Sequence, residues 1–167
     1  MLLAIISDIH DNLPNLQKAL KAIKQRHTRV VLCTGDLTNR DTLKVLATEF
    51  TGPIYIVQGN GCNYTKNDLA KHFNIHDLGR NGGTIKLDSE VFGLCHEPKL
   101  ITNLIKNTKQ EPKIIFYGHT HKPWEETNPT GIKLINSGNL SNTHYPPTFA
   151  FYKTTNKKLE LILVNEL

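Results

Sequence analysis

Cysteine is scarce: there are three in 167 residues, none spaced as Cys-x-x-Cys. An odd number without that spacing argues against a disulfide framework and against a thiolate zinc finger. Long apolar runs are also missing. No stretch approaches the roughly 20 residues of a membrane helix. The opening "MLLAII" is too short for a signal-peptide core and has no basic region before it. A reducing cytoplasm is therefore the expected location, with no membrane partner. Blocks of like charge are absent too. Twenty basic against fifteen acidic residues leave a net +5, an excess that suits anionic ligands. The lysines are scattered, however, and form no nucleic-acid arm. Nucleic acid is not an expected partner.

What remains is ordinary globular composition, 38% hydrophobic and 21% charged, enough for one domain spanning residues 1–167 with a real core. "LLAII" (2–6), "RVVLC" (29–33) and "PIYIVQ" (53–58) read as buried strands. Between them, residues 12–26 and 40–50 carry apolar side chains at helical spacing, such as Leu13, Leu16, Leu20 and Ile23. This βαβαβ order predicts a parallel sheet. Further on, residues 64–73 and 98–108 read as helices, and 84–88 with 91–95 as a hairpin turning at Asp88–Ser89. "KIIFY" (113–117) is another strand. The tail then turns β-rich, with "GIKLIN", "TFAFYK" and "KLELILV" joined by Asn, Gly, Pro and Ser turns.

A polar residue of ligand type follows each buried strand. Asp8 and His10 follow the first, Asp36 in "TGD" the second, and Asn60 in "QGN" the third. His96 follows "VFGLC", while His119 and His121 in "GHTH" follow "KIIFY". Ligands of open α/β sheets bind beyond the carboxyl ends of strands, so five strand ends bring seven O or N donors to one edge of a sheet. The spacing of two in Asp8/His10 and in His119/His121 lets each pair aim together from an extended segment. Gly35, Gly59 and Gly118 directly precede ligand residues, where backbone must turn or approach another group closely. The donors are carboxylate, imidazole and amide oxygen, which suits Mn, Fe, Ni, Zn or Co. Seven are too many for one ion with open positions. They suit two ions sharing a carboxylate at roughly 3.5–4 Å, the arrangement that hydrolyses phosphoesters.

The ordered set D-x-H, GD, GN, H, GHTH resembles the calcineurin-like metallophosphoesterase superfamily. The chain's size, "GHTHKP", and "NSGNLS" in place of Asn-Pro-Gly-Ser are similar to its small YfcE-type phosphodiesterase branch, which also holds the metal-poor retromer subunit. The resemblance covers essentially the whole chain. It implies an α/β fold, a four-layer αββα sandwich, and a phosphoric ester hydrolase acting on a phosphoester substrate. It also implies two divalent ions, manganese first and Ni, Fe, Co or Zn as alternatives, with metal-bound hydroxide as nucleophile. Carried over by position, Asp8, His10 and His121 hold one ion, Asn60, His96 and His119 the other, and Asp36 bridges them.

Three departures stand out. In "GNGCN", Gly61 is interposed before Cys62, and Asn63 stands where an acid is expected, which puts the leaving-group proton donor in question. Glu97 follows His96 where the family has Gly. The stretch between His96 and "GHTH" is short, leaving little material for a cap. Cys62 is thus a candidate catalytic thiol beside the reading of an incidental one. Asn12 and Arg40 are candidate phosphate contacts that also suit helix caps. His72 and His76 sit four apart, the spacing of a solvated helix face or of two ligands. His144 reads as a loop histidine or pocket lining, Cys33 and Cys95 as buried hydrophobes, and Trp124 as core or rim packing. The alternative function is a metal-binding interaction scaffold without catalysis.

Overall fold

The computed structural model describes residues 1–167. Strands β1 (Leu2–Ile6), β2 (Val30–Cys33), β3 (Ile54–Ile56) and β4 (Ile75–Asp77) run parallel in one sheet. They are extended by antiparallel β10 (Thr148–Lys153) and β11 (Lys158–Leu163) in the order β11-β10-β1-β2-β3-β4. The second sheet has the order β5-β6-β7-β9-β8, from β5 (Gly83–Leu87), β6 (Glu90–Leu94), β7 (Ile114–Tyr117), β8 (Trp124–Thr127) and β9 (Lys133–Asn136). Its central β6, β7 and β9 are parallel, and its edges β5 and β8 antiparallel.

Strand alternation explains the layers. In β1, Leu3 and Ile5 join an apolar cluster between the sheets with Leu32, Phe92, Leu94, Phe116, Ile135 and Tyr152. Ala4 and Ile6 point the other way, into a cluster with Leu16, Leu20 and Ile23 of α1 (Leu13–Gln25) and Leu43 and Leu46 of α2 (Arg40–Glu49). On the far face of the second sheet, Cys95, Ile115, Tyr117 and Leu134 pack on Leu104 of α4 (Ile101–Asn107). Both faces of the central strands are buried, which is why they read as continuous apolar runs rather than alternating ones. The result is the expected αββα sandwich.

Local chemistry sets the helix starts. The Asn12 side chain accepts from Asn15 N–H at 3.2 Å, with Pro14 in the first turn, where its missing N–H is not needed. Asn39 caps α2 by accepting from Asp41 and Thr42 N–H at 2.9 and 3.2 Å. Leu16, Leu20 and Ile23 are fully buried beneath α1, each contributing roughly 1.5–3 kcal/mol by leaving water.

Four expectations change. The helix expected over 64–73 is the short α3 (Lys66–Ala70), so His72 lies beyond it and His76 lies on β4. A capping box between Thr65 and Asp68 starts that helix, and the turn at 72–74 leads into sheet pairing that overrides continuation. The helix expected over 98–108 opens as a 3-10 turn at Pro98–Leu100. β4 and β8 had no sequence signature, because β4 holds one apolar residue and all of β8 is exposed. The strand ends also serve two sheets rather than one, since β6, β7 and β9 do not pair with β1–β3.

Candidate metal centre

All seven candidate ligands lie in loops leaving the carboxyl ends of strands. Asp8, His10, Asp36 and Asn60 come from the first sheet, and His96, His119 and His121 from the second. Backbone hydrogen bonds lace each set, and Ser141, in the loop after β9, ties the second sheet to Asp8. Asp8 N–H donates to Gly35 O at 3.0 Å, and the N–H groups of Ile9 and His10 donate to Asp36 O at 2.9 and 3.0 Å. Gly118 N–H donates to His96 O at 3.0 Å, and Ser141 N–H to Asp8 O at 3.0 Å.

The paired spacing works by another route than strand pleat. Asp8, His10, Asp36, His119 and His121 have φ of 50, 44, 51, 70 and 59°, in the left-handed region that side chains other than glycine's enter at a cost. The ligand pairs therefore sit on tight turns just past the strands, and left-handed rather than extended backbone aims Asp8 and His10 together at His121, while His119 turns to Asn60 instead. The glycines before them are sterically required. A Cβ at Gly59 would overlap the Asp36 carboxylate, one at Gly118 would overlap the Ser7 hydroxyl, and one at Gly35 would lie 2.6 Å from His96 Nδ1.

Asp8, Asp36 and His96 are almost fully buried, while His10, Asn60 and His119 are exposed. The centre thus has a deep floor and an open mouth. Asp8 Oδ2 accepts from Ser7 Oγ at 2.5 Å, and both its oxygens accept from His119 N–H at 3.0–3.2 Å. Asp36 Oδ1 accepts from Gly61 N–H at 2.8 Å. Its Oδ2 lies 3.2 Å from His96 Nε2 and 3.7 Å from His10 Nε2, so this carboxylate stands between the two expected ion positions.

Burial alone would push Asp8 up, but hydrogen bonds from His10 and His121, the nearby His96 and Ser7 hold its carboxyl well below the usual range. Burial likewise opposes ionisation of Asp36, and His96 and the Gly61 N–H hold it low. His96 moves up, because Asp36 and Asp8 outweigh its burial. His121 also moves up, chiefly through its hydrogen bond with Asp8.

Donor chemistry tests whether divalent ions fit. His96 Nδ1 lies 2.8 Å from Thr34 O, so it carries the proton and leaves the Nε2 lone pair facing Asn60 Oδ1 at 3.0 Å and Asp36 Oδ2 at 3.2 Å. His121 Nδ1 donates to Thr143 O at 3.3 Å, which turns its Nε2 toward His10 Nε2 at 3.2 Å and Asp8 Oδ1 at 3.4 Å. Backbone carbonyls fixing imidazole tautomers in this way are the usual support of metal ligands. With these imidazoles neutral, lone pairs and carboxylate oxygens converge, and a cation takes the place of the imidazole protons that otherwise pair with Asp8 and Asp36. The ligand atoms of Asp8, His10 and His121 lie within 4.8 Å of one another, as do those of Asp8, Asp36 and His96. Asn60 Oδ1, 2.9 Å from His119 Nδ1, adds the remaining pair. The residues fit divalent metal.

A family model described as the calcineurin-like phosphoesterase superfamily domain matches residues 1–157. The chain belongs to the calcineurin-like phosphoesterase superfamily. It is 25% identical over 143 residues to phosphodiesterase MJ0936 of Methanocaldococcus jannaschii, covering 83% of each chain. The structure of a novel archaeal phosphodiesterase superposes with a TM-score of 0.84 at 23% identity, over 98% of this chain and 99% of that one. YfcE, a phosphoesterase from E. coli, superposes with a TM-score of 0.67 at 18% identity, over 99% and 100%. These structural likenesses show a shared fold.

The superfamily's pattern departs at "GNGCN", and here the structure gives the insertion a task. Gly61 supplies the N–H that fixes Asp36, and a Cβ there would lie 3.3 Å from Asp36 Oδ1. Cys62 packs against the core beneath α1 and α2, with its thiol donating to Tyr64 O at 3.4 Å. Asn12 spends its side chain on capping α1 and on donating to Ser141 O at 3.1 Å. Arg40 lines a surface hollow with Asp68, Lys71 and His72, and none of the seven ligands of the centre borders it. Glu97 pairs with Lys99 at 2.6 Å. His76 stacks on Tyr55 at 4.8 Å and is not joined to His72. Cys33 and Cys95 are fully buried, and burial pushes both thiols up to about 12. Sequence reading missed Ser7, Thr34, Thr143, Asn136 and Asn139, which hold the ligands. Asn136 and Asn139 lie in the "NSGNLS" segment, the one signal that pointed there.

Proposed function

We propose that this protein is a metal-dependent phosphodiesterase with a dinuclear centre, acting as one domain in the cytoplasm. Asp8, His10 and His121 would hold one divalent ion, and Asn60, His96 and His119 the other. Asp36 would bridge them. The observation that carries this reading is the Asp36 carboxylate, with one oxygen tied to Gly61 N–H and the other within 3.7 Å of a histidine from each half-site. The bound ions would supply Lewis acidity toward the phosphoryl oxygens and a water acidified for in-line attack on phosphorus.

The chain does the rest by preorganisation. Thr34 O and Thr143 O fix the tautomers of His96 and His121. Ser7 and the His119 N–H hold Asp8 ionised in a buried place where a free carboxylate would be costly. Exposed His10, Asn60 and His119 frame the mouth by which a phosphoester enters. With few residues between His96 and β7 to cover that mouth, a diester with two bulky groups is the favoured substrate. Cys62 would have to give up its bond to Tyr64 O before serving a leaving group. No helix is long and apolar enough to cross a membrane.

The test is turnover of bis-p-nitrophenyl phosphate and p-nitrophenyl phosphate with Mn, Ni, Co, Zn and Mg, alongside Asp36→Asn. Metal-dependent turnover, falling at least about a hundredfold in the variant, is the expected result. Two bound ions with no turnover under any metal would favour the interaction scaffold instead.

A further inference from the structure

The loop after β9 places a histidine beside the centre that the ligand set does not use. Asn139, fully buried, organises this loop. Its Oδ1 accepts from Ser141 Oγ and Asn142 N–H, both at 2.8 Å, and its Nδ2 donates to His121 O at 3.1 Å and Tyr145 O at 3.3 Å. Asn139 therefore closes the loop on itself and bolts it to the "GHTH" turn through His121 O. Thr143 O takes the His121 Nδ1–H, so the next residue, His144, must emerge at the rim beside His121. Its ring centroid lies 6.0 Å from that of His121, tilted by 56°.

Two features argue that this placement is not incidental. Asn142 and His144 hold φ of 63 and 65°, a conformation that costs a histidine roughly 1–2 kcal/mol and that persists only where surroundings over-determine it. The His144 ring is also exposed and makes no hydrogen bond within the chain. Its N–H is therefore free, on the His10 and His121 side of the open mouth.

We propose that His144 is a substrate-contacting residue, donating a ring N–H to an oxygen of the phosphoester bound at the centre. This rests on the phosphodiesterase reading above, and two readouts separate the two claims. The first is steady-state hydrolysis of bis-p-nitrophenyl phosphate by the manganese-loaded wild type, His144→Ala and His144→Gln. In the alanine variant KM rises about tenfold with kcat within about threefold, the size of one lost hydrogen bond to a charged group. Glutamine, which keeps an N–H donor, restores most of it. Metal content, measured by mass spectrometry, stays equal in all three. The second readout needs no turnover. Inorganic phosphate titrated into zinc-loaded protein shifts the His144 imidazole nitrogen resonances, and binds about tenfold more weakly to His144→Ala by calorimetry. An inactive wild type whose His144 still answers phosphate would sink the phosphodiesterase reading and leave this one standing. An active wild type matched by His144→Ala in KM and in phosphate affinity would overturn the proposal, as would loss of metal from that variant.

Discussion

The two ends of the sandwich are built from the same eleven strands but by different rules. At the carboxyl ends of β1, β2, β7 and β9, the non-glycine residues Asp8, His10, Asp11, Asp36, Thr38, His119, His121, Asn142 and His144 hold positive φ. At the opposite end only His27, Asp88, Ser89 and Lys157 do. Those four have ordinary reasons: His27 follows the α1 C-cap, Asp88–Ser89 is a two-residue hairpin turn, and Lys157 turns between β10 and β11. At the ligand end, strain is held in place by the backbone lacing of the loops and by buried Asn136 and Asn139. One end minimises its energy, and the other trades some of it for aim.

The sharpest way to break that contrast is Gly59→Ala. Its Cβ would overlap the Asp36 carboxylate, so metal affinity and turnover should fall at least about a hundredfold. Gly131→Ala, in the β8–β9 turn with open space around it but a φ of 85°, is the control at the other end, costing stability while leaving metal affinity unchanged. Isothermal titration of manganese into each checks both. Equal affinity in the two variants would show that the ligand end is not sterically tuned.

Leu20→Ala probes what the two ends share. Leu20 is fully buried in the cluster between α1 and the first sheet, and its truncation should lower stability by about 2–5 kcal/mol. Urea denaturation of metal-free protein reads this, with the seven-residue centre's metal affinity little changed. A large loss of metal affinity would mean that the centre depends on α1 packing more than on its own loops.

The smallest effect belongs to the far surface. Arg26 meets Glu160 in a two-pronged pair at 2.6 and 2.9 Å, and its hydrogen bond holds the Glu160 carboxyl below its ordinary range. The unfolded chain takes up that proton more readily. The pair's stability is thus present above pH about 4.5 and lost as pH falls through the lower folded value. Both side chains are nearly half exposed, so Glu160→Gln should cost at most about 1 kcal/mol at pH 7, and less in high salt. Thermal unfolding at pH 7 and pH 3 checks this, with the difference between variant and wild type shrinking at the lower pH.

The centre was more legible than the scaffold around it. Its seven side chains announce themselves because each stands at the end of an apolar run, often behind a glycine, and the chain repeats that sentence five times. The runs themselves could be read because both faces of β1, β2 and β7 are buried. Division into two sheets could not, since pairing partners leave no mark on a strand buried on both sides. β8 escaped because Trp124, Glu125, Glu126 and Thr127 all face solvent. The carbonyls of Thr34 and Thr143 were invisible for a deeper reason: a backbone acceptor has no residue type. The left-handed turns likewise fall on Asp and His, where sequence offers no glycine to flag them.

Each half-site draws from both sheets: Asp8 and His10 meet His121, and Asp36 and Asn60 meet His96 and His119. Any ion seated there is a rivet through two plates. The grip length of those rivets is set by the Phe92, Phe116 and Tyr152 rings that keep the plates apart. Chelation would therefore free the sandwich at one edge, leaving the other closed by packing alone.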